Sequence, residues 1–74
     1  MKAFKRITLD PAVMGGKPCI RGQRVTVGMI VGLMARGHTK AEILEAYPSV
    51  EEADLREALA YAACKASELH VSSL

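Results

Sequence analysis

Tryptophan is missing from this chain, and aromatic side chains are reduced to Phe4, Tyr47 and Tyr61 among 74 residues. Half of the residues are nonetheless hydrophobic, which excludes a disordered composition and leaves burial to Val, Ile, Leu, Met and Ala in closely packed helices. Long apolar runs are also missing. The longest, VTVGMIVGLMA from Val25 to Ala35, lies between Arg24 and Arg36 and falls well short of the roughly 20 residues that span a bilayer. The N-terminus, MKAFKRITLDP, reaches Asp10 and Pro11 without the apolar stretch of a secretory signal. A soluble, cytoplasmic chain with no membrane contact is expected. Its two cysteines, Cys19 and Cys64, are then expected as reduced thiols, one in a loop and one on a helix.

Catalytic and cofactor chemistry is equally thin. The residues that could hold zinc, Cys19, His38, Cys64 and His70, contain no C-x-x-C or H-x-x-x-H pair to anchor a site. Neither cysteine has a histidine in a recognisable nucleophile arrangement. The stretch MGGKPCIRGQR, Met14 to Arg24, invites a phosphate cradle because its glycines flank a lysine. Lys17, however, is followed by Pro18, which lacks the amide that a nucleotide loop donates, and Cys19-Ile20 then favours a strand over a helix. No metal, cofactor or enzymatic activity is expected.

The charge distribution is more informative than the net charge of +2. Residues 1–24 hold six basic side chains, Lys2, Lys5, Arg6, Lys17, Arg21 and Arg24, against Asp10 alone, giving +5. Residues 25–74 hold four basic and seven acidic side chains, giving −3. A basic arm on an acidic body meets polyanions or acidic partners first through the arm. Lys5, Arg6, Lys17, Arg21 and Arg24 are therefore the candidate contacts to a partner or to nucleic acid.

Alternation at Ile7 and Leu9, broken by Asp10-Pro11, predicts a short strand over Arg6–Leu9. Cys19-Ile20 and Val25-Thr26-Val27 are β-prone and enclose a four-residue turn, Arg21-Gly22-Gln23-Arg24. Asp10, Pro11, Gly15, Gly16, Pro18 and Gly22 are expected to shape the intervening loop. So small a sheet leaves an exposed edge, which suggests a homodimer.

Three helices follow. The first places Val27, Ile30, Val31 and Met34 on one face and stops at Gly37. Its Gly28 and Gly32 are expected to admit close backbone approach by a neighbouring helix or strand. The second opens with a capping box, Thr39-Lys40-Ala41-Glu42, buries Ile43, Leu44 and Tyr47, and ends at Pro48. The third starts near Glu51 with Ser49 as a candidate N-cap paired to Glu52, and buries Leu55, Ala58, Leu59 and Ala62. Glu51, Glu52 and Asp54 in its first turn complement the helix dipole. His38 is expected to cap a helix end or meet solvent. The fold class is thus mainly α, a helix-turn-helix-like three-helix bundle with a short N-terminal β arm or hairpin. One domain divides into the arm and loop (1–24), the helical body (25–67) and a tail (68–74).

The segment ITLDPAVMGGKPCIRGQRVTV, with ARGHTKAEILEAYPSVEEADLREALAYAA after it, resembles the small prokaryotic domain of unknown function numbered 433, an antitoxin-like family sometimes described as VapB-type. The likeness runs from about Ile7 to Ala63. Its marks are Asp10-Pro11, Gly16-Lys17-Pro18, Ile20-Arg21-Gly22, Arg24, Gly37, Tyr47-Pro48 and Ala58-Leu59-Ala60-Tyr61-Ala62. Glu51 stands where many family sequences have threonine. The resemblance implies a homeodomain-like fold and a PIN-like ribonuclease partner encoded nearby, which the protein neutralises. Arg21 and Arg24 would then either pair with the nuclease's metal-binding carboxylates or bridge to acidic helices of this chain or its dimer mate. The competing expectation is a duplex-DNA-binding autorepressor that uses the basic arm, since a third helix opening with carboxylates meets phosphates with the wrong sign.

Overall fold

The computed structural model describes residues 4–68; Lys2, His70 and the tail beyond Glu68 lie outside the described residues. Strand β1 (Ile7–Thr8) pairs antiparallel with β2 (Cys19–Ile20), Ile7 opposite Ile20 and Thr8 opposite Cys19. A single 3-10 turn, Met14–Gly16, lies between them. Helices α1 (Val27–Ala35), α2 (Lys40–Ala46) and α3 (Glu52–Glu68) follow. The mainly helical, three-helix architecture with a small N-terminal sheet is as the sequence predicts.

The β segments are shorter than the predicted Arg6–Leu9, and the run Val25-Thr26-Val27 divides. Val25 stays beside β2, its carbonyl accepting from the Ile20 amide at 2.8 Å, and Thr26 forms an isolated bridge with Cys19. Val27 belongs to α1. The division comes from Thr26, whose hydroxyl accepts from the Met29 amide at 3.0 Å and so acts as an N-cap. The sulfur of Met29 in turn accepts from the Thr26 amide at 3.4 Å.

Helix ends obey their local chemistry. At the end of α1 the His38 amide bonds to the Leu33 carbonyl at 3.1 Å and the Gly37 amide to Met34 at 3.0 Å. With Gly37 at φ +92°, this is a Schellman stop. Thr39 and Glu42 close the predicted capping box, the Thr39 hydroxyl accepting at 3.1 Å and the Glu42 carboxylate at 2.9 Å. The bond from the Thr39 amide is the largest influence holding the Glu42 carboxyl below its ordinary range. His38 lies one turn away, its Nδ1 3.5 Å from Glu42. Tyr47, at φ −126° and ψ 79°, has left helical geometry ahead of Pro48, as a pre-proline residue must.

The core consists of Ile20, Val25, Val27, Ile30, Ile43, Val50, Leu55, Ala58 and Tyr61. Phe4 stacks edge-on against Tyr61, with ring centroids 5.3 Å apart, which fastens the arm to α3. Three expectations are corrected. Leu59 points outward at 46% exposure, while Asp54 and Tyr61 are buried beside the predicted Leu55 and Ala58, because the inward face of α3 is centred on 54, 58 and 61, with Leu55 and Ala62 on its flank. Ser49 does not cap α3; its hydroxyl donates to Gln23 at 2.7 Å, and the Glu51 carbonyl accepts the first helical amides, from Asp54 and Leu55. Gly28 and Gly32 admit no close backbone within the chain: a Cβ at Gly32 would meet nothing within 4 Å, and one at Gly28 would meet only the Thr26 hydroxyl at 3.8 Å. Cys19 lies in β2, its thiol donating to the Lys17 carbonyl at 3.2 Å. Among the described residues neither Cys19 nor Cys64 forms a disulfide.

Replacing Thr39 with Ala removes one half of the α2 capping box. The expected loss is about 1 kcal/mol in urea unfolding, with an unchanged m-value because the surface exposed on unfolding stays the same.

Candidate functional site

The arm and α3 meet at one buried carboxylate. Asp54, three residues after Glu51, is fully shielded from solvent, a position that an acidic residue holds only when paired and hydrogen-bonded. Its partners come from three segments. Arg21 Nε lies 3.0 and 3.1 Å from the two carboxylate oxygens, and Arg21 Nη2 lies 2.9 Å from Oδ2. Arg6 Nη1 reaches Oδ1 at 2.9 Å and also Glu51 at 2.9 Å. The Glu51 amide donates to Oδ2 at 2.8 Å, so Asp54 also closes the helix start at the third position of the first turn.

The turn that presents Arg21 is built for the purpose. Arg21 and Gly22 have φ of +45° and +74°, and the Gln23 amide bonds to the Ile20 carbonyl at 2.8 Å. Two central residues with positive φ mark a type I′ turn, and glycine suits the second position. Arginine does not suit the first. The strained backbone is held because its side chain is gripped twice, by Asp54 and by the Ser49 carbonyl at 2.6 Å. Gln23 adds a bond to the same carbonyl at 3.4 Å. On the other side the Arg21 amide bonds to the Arg6 carbonyl at 2.8 Å, and the Arg6 amide donates to Glu57.

Charge and burial compete at Asp54. Burial is the largest influence and favours the neutral acid, but the bonds from Arg21, the Glu51 amide and Arg6 together outweigh it and hold the carboxyl below its ordinary 3.8. Both guanidiniums are shifted upward, Arg6 chiefly through Glu51 and Arg21 chiefly through Asp54.

The five basic residues predicted to face a partner therefore divide. Arg6 and Arg21 turn inward onto Asp54; the sequence-level alternative in which an arginine bridges to this chain's own helix describes Arg21. Lys5, Lys17 and Arg24 are exposed and make no ion pair among the described residues. Arg36 and Arg56 on the helical body share that condition, whereas Lys40 pairs with Glu52 at 3.1 Å. In the loop, Asp10 Oδ1 accepts from the Ala12 amide at 2.9 Å, and Gly15 and Gly16 take positive φ, a bend ahead of Lys17-Pro18. No group of three or more His, Cys, Asp or Glu suited to a metal occurs among the described residues, and none of their helices is long and apolar enough to cross a membrane.

The profile of the family described as "Protein of unknown function (DUF433)" matches residues 7–62. The chain belongs to the DUF433 family. It is 39% identical over 56 residues to the uncharacterized protein y4eO of Sinorhizobium fredii, a match covering 76% of this chain and 25% of that relative. The chain thus spans about a quarter of the length of the curated relative. The fold resembles the crystal structure of a DUF433 member from Anabaena variabilis, with a TM-score of 0.79, 30% identity, and coverage of 85% of this chain and 62% of the other. The DUF433 match takes in Arg21, Ser49, Glu51 and Asp54, and begins one residue after Arg6.

Asp54→Asn removes the charge that two arginines share. Because both guanidiniums keep about a third of their surface in solvent, the expected destabilisation is about 2 kcal/mol, below the usual range for a buried pair. The wild-type pH dependence follows from the direction of the shift. A carboxyl held below 3.8 when folded binds fewer protons than in the unfolded chain. Its stabilisation is fully present above the unfolded value and is lost as pH falls through the folded one. Urea midpoints should fall more steeply below pH 4 in the wild type than in Asp54→Asn; parallel profiles would contradict the assignment.

Proposed function

We propose that this DUF433 chain is a non-catalytic, dimeric protein-binding module of the antitoxin type, which binds and neutralises a PIN-like ribonuclease in the cytoplasm. The observation that carries this reading is the covering of the α3 start. A helix-turn-helix protein that reads DNA inserts the N-terminal part of its last helix into the major groove. Here that turn lies under the arm, with Arg21 bonded to Ser49 and Asp54 and Arg6 bonded to Glu51 and Asp54. The autorepressor reading also has fewer cations to use, because Arg6 and Arg21 already have carboxylate partners.

An acidic protein surface is the better match for what remains. Lys5, Lys17 and Arg24 stay uncompensated on the arm, and a carboxylate-lined nuclease cleft is complementary to them. The earlier pairing of Arg21 with the nuclease gives way to Lys17 and Arg24 in that role. The small size of the sheet supports the dimer, since two strands of two residues each are usually completed or covered by a second chain.

Coexpression with the product of the adjacent reading frame tests the proposal. Copurification at moderate salt and loss of ribonuclease activity are expected, with Lys17→Glu/Arg24→Glu weakening the complex by about tenfold through lost charge complementarity. Retardation of duplex DNA that disappears steeply with salt, without ribonuclease inhibition, would replace this reading with the regulator.

A further inference from the structure

Residues 4–9, which carry β1, include no buried side chain, whereas Cys19, Ile20 and Val25, on and beside β2, are all buried. The two strands are therefore held differently. β2 belongs to the body through the core residue Ile20 and through backbone bonds with Val25 and Val27. β1 is fastened by its pairing with β2, by the Phe4 ring on Tyr61 and by the bonds of Arg6 to α3. A segment that buries so little opens at lower cost than the whole fold.

The Asp54 site tolerates that opening. Arg21 Nε alone reaches both carboxylate oxygens, while Arg21 Nη2 and the Glu51 amide reach Oδ2, so the charge stays paired when Arg6 leaves. Arg6 divides its guanidinium between Asp54 and the exposed Glu51. Arg21 is thus the fixed partner and Arg6 the removable one. The connection between the strands is suited to act as a hinge. Its backbone bonds run from Val13 to Asp10, Gly16 to Val13 and Lys17 to Met14, all within the loop. Met14 is held at φ +51° ahead of Gly15 and Gly16, which are also left-handed. That conformation strains a residue with a Cβ, and a strained hinge favours exchange of the element it carries.

We infer that β1 is exchanged between two copies of this chain, residues 4–9 of each lying on β2 and α3 of the other and supplying Arg6 to its Asp54. A second copy is selected because the position that β1 vacates is shaped for β1 itself. It offers the Arg21 amide to the Arg6 carbonyl, Tyr61 to Phe4, and the Glu51 and Asp54 carboxylates to one guanidinium. An identical strand restores each contact in trans, and reciprocal exchange closes at a dimer. The ten residues 9–18 extend to about 33 Å, enough to pass between two bodies. The inference rests on the dimeric part of the reading above and supplies its interface, independently of the ribonuclease.

A cross-link across the sheet tests it. Thr8 stands opposite Cys19, where directly paired side chains have Cβ atoms about 4.5–5.5 Å apart, close to the spacing of a disulfide. The full chain carrying Thr8→Cys and Cys64→Ser is oxidised with glutathione disulfide at a concentration where size-exclusion chromatography shows a dimer. A denaturing, non-reducing gel then separates the two arrangements. Exchange joins two chains, so a band at twice the 8.0 kDa of one chain is expected, and adding Cys19→Ser should abolish it. An intrachain bond in a protein that still elutes as a dimer, or a covalent dimer that persists with Cys19→Ser, overturns the exchange while the dimer stands. Elution as a monomer at every concentration overturns both, and leaves ribonuclease binding to its own copurification test.

Arg6→Glu provides a second measurement that needs no disulfide. It sets a carboxylate against Glu51 and Asp54 and should weaken the dimer at least about tenfold, with helical circular dichroism unchanged because Arg21 still holds Asp54. Undiminished dimer affinity in Arg6→Glu overturns the inference.

Discussion

The described structure depends on the carboxylate of Asp54, which is buried without being neutralised. A lone carboxylate removed from water would take up a proton or disrupt its surroundings. Here one residue from the arm, one from a β turn and one from the start of α3 converge on it, separated from it in sequence by 48, 33 and 3 positions respectively. Because a charge of this kind tolerates little displacement of its partners, the interaction fixes where the arm lies on the helical body. The strained φ of Arg21 follows from the same demand, as does the proximity of Ser49 to the turn.

That arrangement also explains how so small a sheet persists. Two residues in each strand would not hold a hairpin in water. The sheet is instead held from outside: Phe4 on Tyr61, the Arg6 amide on Glu57, and both guanidiniums on α3. The helices, by contrast, begin and stop on local chemistry alone. Thr26 and Thr39 start α1 and α2, Gly37 stops α1, and Pro48 stops α2. The chain therefore combines locally specified helices with a non-locally specified arm, and Asp54 joins the two.

This division decides what could be read from the sequence. The helix starts at Thr39 and the stops at Gly37 and Pro48 were legible because each depends on residues within one turn. A turn over Arg21–Arg24 was legible from Gly22, but the positive φ of Arg21 was not, because it is held by Ser49 and Asp54 far along the chain. The role of Asp54 was not, because an acid in the first turn of a helix already has a sufficient local explanation in the helix dipole. The signal that could have found it is periodicity: counting in steps of four and three from Asp54 leads to Ala58 and Tyr61, which are both buried. Leu59 misled in the opposite direction, since the helical spacing 55, 58, 59, 62 placed it inside, whereas the buried face is centred nearer Asp54, Ala58 and Tyr61 and leaves Leu59 exposed. Arg6 and Arg21 were legible as charges, but whether a charge faces inward depends on a partner many residues away.

Once two arginines of the arm are turned inward, the distribution of surface properties changes. The arm keeps Lys5, Lys17 and Arg24, a smaller set than the sequence suggests, and its contribution to long-range attraction is correspondingly diluted. The apolar sequence of α1 is largely accounted for within the chain, Val27 and Ile30 lying in the core and Val31, Leu33 and Met34 against it, and the large apolar side chains left most exposed among the described residues are Leu9 and Leu59. Under the proposed reading, the charge left on the arm would attract and orient an acidic protein.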